Sequence, residues 1–215
     1  MTLPSTGTPG SAGPQRDEVA ELASREVEIR LCGSGGQGLL VAGAILAEAL
    51  TLEGLRVAQS QSFEPTSRGG MSRTDLVGSD GSVDFPLATT LDCALILDQI
   101  AVGRTTGLLK RRGLLLLDRE RVPQPPKGDF ALHSLALGEA AKGLGDARVA
   151  NLVGLGALTR LAELCSDASL DRAIRSTSPV RFIDLNLEAA RAGRGLTEAT
   201  APARPAETVA GGSPR

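Results

Sequence analysis

Aromatic residues are nearly missing from this chain, which has no tryptophan, no tyrosine and four phenylalanines, 2% of its 215 residues. A core must therefore be packed from Leu, Ala, Val and Ile, and bases of single-stranded nucleic acid would find no rings to stack on. A net charge of −2 also leaves no basic footprint for a phosphate backbone. Neither nucleic acid nor a membrane is expected as a partner. The longest apolar run, Leu39–Ala47, is too short to cross a bilayer.

Cysteine is scarce too. Cys32, Cys93 and Cys165 are scattered without a Cys-x-x-Cys pair, which excludes a self-contained iron–sulfur or zinc site. Each sits in an apolar segment as a small buried hydrophobe, and an odd count without a disulfide framework suits a reducing cytoplasm. The lone histidine, His133, has no neighbouring ligand types and is expected to be structural or exposed. No Ser/His/Asp nucleophile constellation is visible, and no catalytic residue is assigned.

The chain is long enough for one domain with a real core. Its ends are rich in Pro, Gly, Ser, Thr and Ala, compositions that cannot offset the entropy of ordering. The expected organisation is a disordered N-terminal tail over 1–24, an α/β domain over 25–197 and a disordered C-terminal tail over 198–215. No signal-peptide core is expected in the first residues, and a short helix over 17–25 is expected just before the domain.

What is present is organised around Cys32-Gly33-Ser34-Gly35-Gly36-Gln37-Gly38. Val27–Leu31 leads in with strand character. Leu39–Leu52 leads out with Leu39, Gly43, Leu46, Ala47 and Leu50 at helical spacing. Gly33, Gly35 and Gly38 match the G-x-G-x-x-G spacing of a strand–turn–helix nucleotide loop. Glycines there allow positive φ and close backbone approach, and free N–H groups at the helix start suit an anion. A dinucleotide reader would also need an acidic residue closing the next strand, but Leu55–Gln61 ends in Gln and Ser. For the turn alone, NAD or FAD, another phosphate-bearing ligand, and plain packing all stay open.

Beyond the second strand, a polar loop over Ser62–Gly70 precedes a strand over Met71–Gly78. A turn at Gly78-Ser79-Asp80-Gly81 predicts a hairpin into Val83–Phe85, closed by Pro86. The apolar runs Asp92–Leu97 and Leu114–Asp118 read as buried parallel strands. A helix over Gln99–Lys110 is expected between them, with Lys110-Arg111-Arg112 at its C-terminal end. A last strand is expected over Asp129–Leu132, followed by helices over 138–143, 149–165, 170–175 and 186–192. The fold class is α/β: a Rossmann-like three-layer domain with a mostly parallel sheet, an antiparallel hairpin insertion and a helical C-terminal part.

Taken together, several segments resemble the gamma subunit, or gamma domain, of 2-oxoacid:ferredoxin oxidoreductases, which act on pyruvate, 2-oxoglutarate or branched-chain 2-oxo acids. Gly33–Gly38 matches that family's Gly-x-Gly-Gly-Gln-Gly. Ser62, Phe63, Pro65, Arg68, Gly69, Gly70 and Ser72 match its Ser, aromatic, Pro and Arg-Gly-Gly-x-Ser pattern. Asp92, Gln99 and the Lys110…Gly113 step resemble its middle section. Asn151 with Leu155-Gly156-Ala157-Leu158, and Leu185–Ala189 through Gly193, resemble its closing segments. The resemblance spans about 27–195. One departure stands out: the usual Tyr-Gly-Pro-Glu reads Phe63-Glu64-Pro65-Thr66 here.

The resemblance implies a subunit of a thiamine-diphosphate enzyme that oxidatively decarboxylates a 2-oxo acid to an acyl-CoA, inactive on its own. Thiamine diphosphate, Mg and iron–sulfur clusters are expected on alpha and beta partners, with a ferredoxin-like delta subunit as an optional fourth. Coenzyme A is the co-substrate and ferredoxin the electron acceptor. The cofactor-binding residues expected on this chain are Gly33, Gly35, Gly36, Gln37, Gly38, Arg68, Gly69, Gly70 and Ser72, with no metal ligand. If the first two strands are parallel neighbours, the glycine turn and Arg68 share one rim of the sheet. The alternatives are a free-standing NAD(P)-binding Rossmann enzyme and an indolepyruvate oxidoreductase small subunit. Gln37 is expected either to present its amide to a ligand or to cap the turn. Arg68 is expected either to hold an anion or to form an ion pair at an interface.

Overall fold

The computed structural model describes residues 26–64, 70–83 and 87–198. The two expected tails, apart from Glu198, and the helix over 17–25 lie outside these residues, as do Arg68 and Gly69.

Six strands form one sheet: β1 (Glu26–Ser34), β2 (Arg56–Phe63), β3 (Met71–Ser79), β4 (Leu91–Ile96), β5 (Leu109–Asp118) and β6 (Ala131–Leu135). Their order is β2-β3-β1-β4-β5-β6. β1, β4, β5 and β6 are parallel, and β3 runs antiparallel to both β1 and β2. Cys93–Ile96 of β4 and Leu114–Leu117 of β5 are continuous apolar runs because both faces of the sheet are covered there, as in buried parallel sheets. β2, at an edge, is polar and half-exposed along most of its length.

The five helices are α1 (Leu39–Leu52), α2 (Leu137–Gly143), α3 (Ala150–Leu161), α4 (Asp167–Thr177) and α5 (Ile183–Glu198). They gather on one face of the sheet, where Ile29, Leu31, Leu76, Leu95 and Leu116 meet the apolar sides of α1 and α3. α4 packs on α1, and α5 packs on α3. A smaller core lies across the sheet, where Ala94, Ile96, Leu115 and Leu117 meet Ala101, Val102 and Val122. The result is three layers: helices, sheet, and a thin cover of turns. Among the described residues, no helix is long and apolar enough to cross a membrane.

Three expectations fail locally. The antiparallel hairpin exists, but it joins β2 to β3 through 64–70 and not β3 to Val83–Phe85. Both edges of β3 are occupied by β1 and β2, so no edge is left for a third strand. Val83 lies outside any strand, and 84–86 lie outside the described residues. β3 also separates β1 from β2, so those two strands point the same way without being neighbours. The helix expected over Gln99–Lys110 is two 3-10 turns, Gln99–Ala101 and Thr106–Leu108, after which Leu109 starts β5. Gly103, Thr105, Thr106 and Gly107 are weak helix formers and break it. Lys110 is therefore a strand residue paired with Asp92 at 2.8 Å, not a helix-end charge.

Candidate functional site

The glycine turn closes β1 at the carboxyl rim of the parallel strands, beside the end of β4. Gly36 and Gly38 have φ of +88° and +69°, in the left-handed region that side chains rarely adopt. At Gly38 space is also lacking, since a Cβ would come within 2.6 Å of Asn151 Nδ2. Asn151, in the first turn of α3, donates to the Gly38 carbonyl at 2.8 Å and so ties α3 to the turn. In the sequence this asparagine belongs to the resembled Asn…Leu-Gly-Ala segment.

Gln37 braces the turn. Its Oε1 accepts from the Ser34 N–H at 2.7 Å, and its Nε2 donates to the Leu97 carbonyl at 2.9 Å. Both halves of the amide are thus committed to backbone, stitching the turn to the end of β4. What the turn leaves facing outward is main chain. Gly35 and Gly36 are exposed, and α1 begins at Gly38 with no side-chain cap. The first N–H groups of α1 and the positive end of its dipole therefore lie open at this rim.

The structure brings Gly70 to the same place: its carbonyl accepts from the Gly35 N–H at 3.0 Å. Ser72 lies within β3, buried, opposite Gly33 of β1 and Phe63 of β2. Five glycine-turn residues and Gly70 thus form one cluster, with Ser72 packed in the sheet behind it.

A groove of about 420 Å³ opens between Gly36, Gln37 and Leu97 on one side and the β5–α2 region on the other. Its cations were not foreseen as site residues: Arg121, Lys142 and Arg148. Each has an acidic neighbour. Lys142 meets Glu120 at 2.8 Å, Arg121 meets Asp98 at 3.8 Å, and Arg148 meets Asp146 at 2.6 Å. Hydrogen bonds from Arg148 hold the Asp146 carboxyl down to about 2. Asp118, at the foot of the groove, is buried and fully engaged. It accepts from Glu120 N, Arg121 N and Gly138 N, at 2.9, 3.3 and 2.8 Å. A signal for it existed in the sequence, an aspartate closing a run of four leucines at a strand end.

The cysteines do not converge. Cys32 faces the thin layer, 3.3 Å from Thr105 Oγ1, and burial pushes its thiol up to about 12. Cys93 faces the helices and is also pushed up by burial. Neither is poised to become a thiolate ligand. Among the described residues, no group of three or more His, Cys, Asp and Glu side chains could hold a metal ion. His133 is buried opposite Leu116, its Nδ1 without a partner, and burial lowers its pKa.

Comparison with known proteins places this geometry. The family model described as pyruvate ferredoxin/flavodoxin oxidoreductase matches residues 28–196. The 2-oxoglutarate synthase subunit KorC of Methanothermobacter thermautotrophicus is 35% identical over 177 residues, 79% of this chain and 94% of that protein. The pyruvate synthase subunit PorC of the same organism is 32% identical over 171 residues, 77% of this chain and 92% of that one. Among solved structures, the gamma subunit of a keto/oxoacid ferredoxin oxidoreductase from Geobacter sulfurreducens superposes with a TM-score of 0.74 at 37% identity. That match covers 81% of this chain and 98% of the other. The glycine turn and all but the outermost residues of the sheet and the closing helices fall inside 28–196, and the chain belongs to the pyruvate ferredoxin/flavodoxin oxidoreductase family as a gamma-type subunit of a multi-subunit oxidoreductase.

Proposed function

We propose that this subunit serves a cytoplasmic enzyme that oxidatively decarboxylates 2-oxoglutarate, forms the acyl-CoA and passes the electrons to ferredoxin. The observation that carries the choice of 2-oxo acid is the nearly end-to-end match to a 2-oxoglutarate synthase gamma subunit. The division of labour follows from the residues at hand. Buried, separated cysteines with raised pKa suit neither cluster ligation nor nucleophilic attack. Thiamine diphosphate, Mg and the iron–sulfur clusters accordingly belong on alpha and beta partners, and this chain supplies a binding wall.

That wall is the glycine turn. Coenzyme A is the co-substrate with several phosphates. Uncapped N–H groups at the start of α1, the exposed backbone of Gly35 and Gly36, and the adjoining groove suit such an anion. Gly70 is hydrogen-bonded to this turn, and Arg68 and Gly69, which precede it in the resembled Arg-Gly-Gly pattern, are proposed as further coenzyme A-binding residues. Gln37 and Gly38 hold the backbone in shape, Gln37 through its amide and Gly38 through the bond from Asn151.

Assembly tests the overall reading. With its partner subunits co-expressed, the enzyme is expected to reduce ferredoxin with 2-oxoglutarate and coenzyme A. Leaving out this chain should abolish that activity, and the isolated chain should show none. Preference for pyruvate in the assembled enzyme would overturn the substrate assignment. Within the same enzyme, Arg68→Ala is expected to raise the coenzyme A KM roughly 10- to 150-fold, equivalent to the loss of a charge-assisted contact of about 1.5–3 kcal/mol. The KM for the 2-oxo acid should barely move. If coenzyme A kinetics stay unchanged while assembly fails, Arg68 is an interface residue.

A further inference from the structure

A second, smaller pocket of about 120 Å³ lies away from the groove, lined by Ser62, Glu64, Met71, Arg73 and Arg104. Ser62 and Arg73 stand side by side in β2 and β3, in register with Cys32 of β1. Arg104 comes from the loop between the two 3-10 turns that cover this face. The charges around the pocket do not balance. Arg30 occupies both oxygens of Asp75, at 2.7 and 2.8 Å. Arg73 therefore keeps only a 3.8 Å contact with a carboxylate already committed elsewhere. Arg104 pairs with Glu64. Among the described residues, three guanidinium groups thus share two carboxylates, and the uncompensated charge sits on the half-exposed Arg73.

The two arginines are set in place from behind. Arg30 Nη1 donates to the Arg104 carbonyl at 3.0 Å, and Thr105, next in the chain, meets Cys32. Arg73 is held in the centre of a two-sided ladder. Glu64 is the movable member. Its backbone N–H bonds the Met71 carbonyl at 3.0 Å, and its Oε2 accepts from the Met71 N–H at 3.3 Å. The carboxylate can leave Arg104 without undoing the backbone bond at the base of the β2–β3 connection. Exposed pairs of this kind add little net stability, so exchange for another anion is inexpensive.

We propose that this pocket is an oxyanion site, with the chain's own Glu64 carboxylate as its resident occupant. An incoming carboxylate or phosphoryl group takes the place of Glu64 on Arg104 and adds Arg73, with Ser62 lining the pocket. At about 120 Å³ the pocket has room for one such group. The acidic residue that stands before proline in this chain, where the resembled pattern places it after, would thereby act as a tethered competitor.

The proposal predicts a change of unusual sign, in which removing an internal carboxylate tightens anion binding. The full-length chain is titrated calorimetrically with inorganic phosphate and, separately, with succinate, at ionic strength held constant with sodium chloride. Glu64→Gln is expected to bind at least one of them tenfold or more tightly than the unmodified chain. Arg73→Ala or Arg104→Ala, added to Glu64→Gln, should remove the gain. A larger gain for phosphate identifies a phosphoryl group as the natural ligand, and a larger gain for succinate identifies a carboxylate. Thermal melts run alongside, and Arg73→Gln replaces Arg73→Ala if the latter unfolds early. No gain over chloride for either anion, or a gain that survives loss of Arg73, overturns the assignment and leaves Glu64 as a surface ion-pair residue.

Discussion

Gly193→Ala is expected to destabilise the protein by roughly 3 kcal/mol, although alanine is the better helix former. α3 and α5 cross with their backbones in contact. A Cβ on Gly193 would sit 1.9 Å from the Val153 carbonyl oxygen and 3.0 Å from the Ala157 nitrogen. On the facing helix, a Cβ on Gly156 would sit 2.1 Å from the Ala190 carbonyl oxygen. The two glycines interlock at three-residue steps, Val153 and Gly156 against Ala190 and Gly193. No rotamer relieves such a clash because the obstacle is main chain, so α5 must move off α3. Intrinsic propensity would return only about 1 kcal/mol. In a domain of this size the net loss corresponds to a fall of about 6–12 °C in Tm. Gly195, two residues on in the same helix, is the control. It is exposed with nothing near its Cβ position, so Gly195→Ala should stabilise by about 0.4–1 kcal/mol. Thermal unfolding of the two variants decides the matter, and shifts of the same sign would refute the close-contact account.

These glycines also show what could be read without coordinates. Leu155-Gly156-Ala157 and Gly193 stood out in the sequence only as pieces of a family pattern. Their reason, a helix crossing, joins segments 37 residues apart and is invisible to local periodicity. The strand–turn–helix over β1 and α1 was legible because every signal there is local: a β-branched strand, glycines at fixed spacing and an apolar run at helical spacing. The buried strands β4 and β5 were legible for the same reason. Strand order was not, because β3 could be assigned its neighbours only by long-range pairing. A turn signal at Gly78–Gly81 was real, yet a turn does not say which strand edge is vacant. Of the residues gathered at this rim, the glycines and Gly70 carried a motif in the sequence, while Asp118 and the groove cations were not singled out there. Those residues come from the end of β5 and the turn after it, from α2 and from the chain before α3, and only folding brings them to the rim of β1.

The largest effect is expected in the middle of the sheet. Arg30 lies in central strand β1, 1% exposed, with a forked contact to Asp75 of β3, itself 2% exposed. Burial opposes the guanidinium charge, but the hydrogen bonds and the charge of Asp75 outweigh it and hold the group ionised. Arg30→Met strands the Asp75 carboxylate in a site water cannot reach, with Arg73 3.8 Å away as its nearest cation. The Arg104 carbonyl also loses its donor. Breaking a buried pair from one side costs about 3–5 kcal/mol, and Asp75→Leu alone should cost a similar amount by leaving the guanidinium uncompensated. The double variant Arg30→Met/Asp75→Leu removes both charges and fills the space with apolar groups of similar length. It should recover most of the loss, falling short by the roughly 1 kcal/mol of one unmade hydrogen bond at Arg104. Urea unfolding of the four proteins closes the double-mutant cycle. Two single variants within 1 kcal/mol of the unmodified chain would show that the pair is hydrated and contributes little. A double variant as unstable as the sum of the singles would show that Arg30 acts mainly by holding the 99–108 segment over the sheet, and that Asp75 is incidental to it.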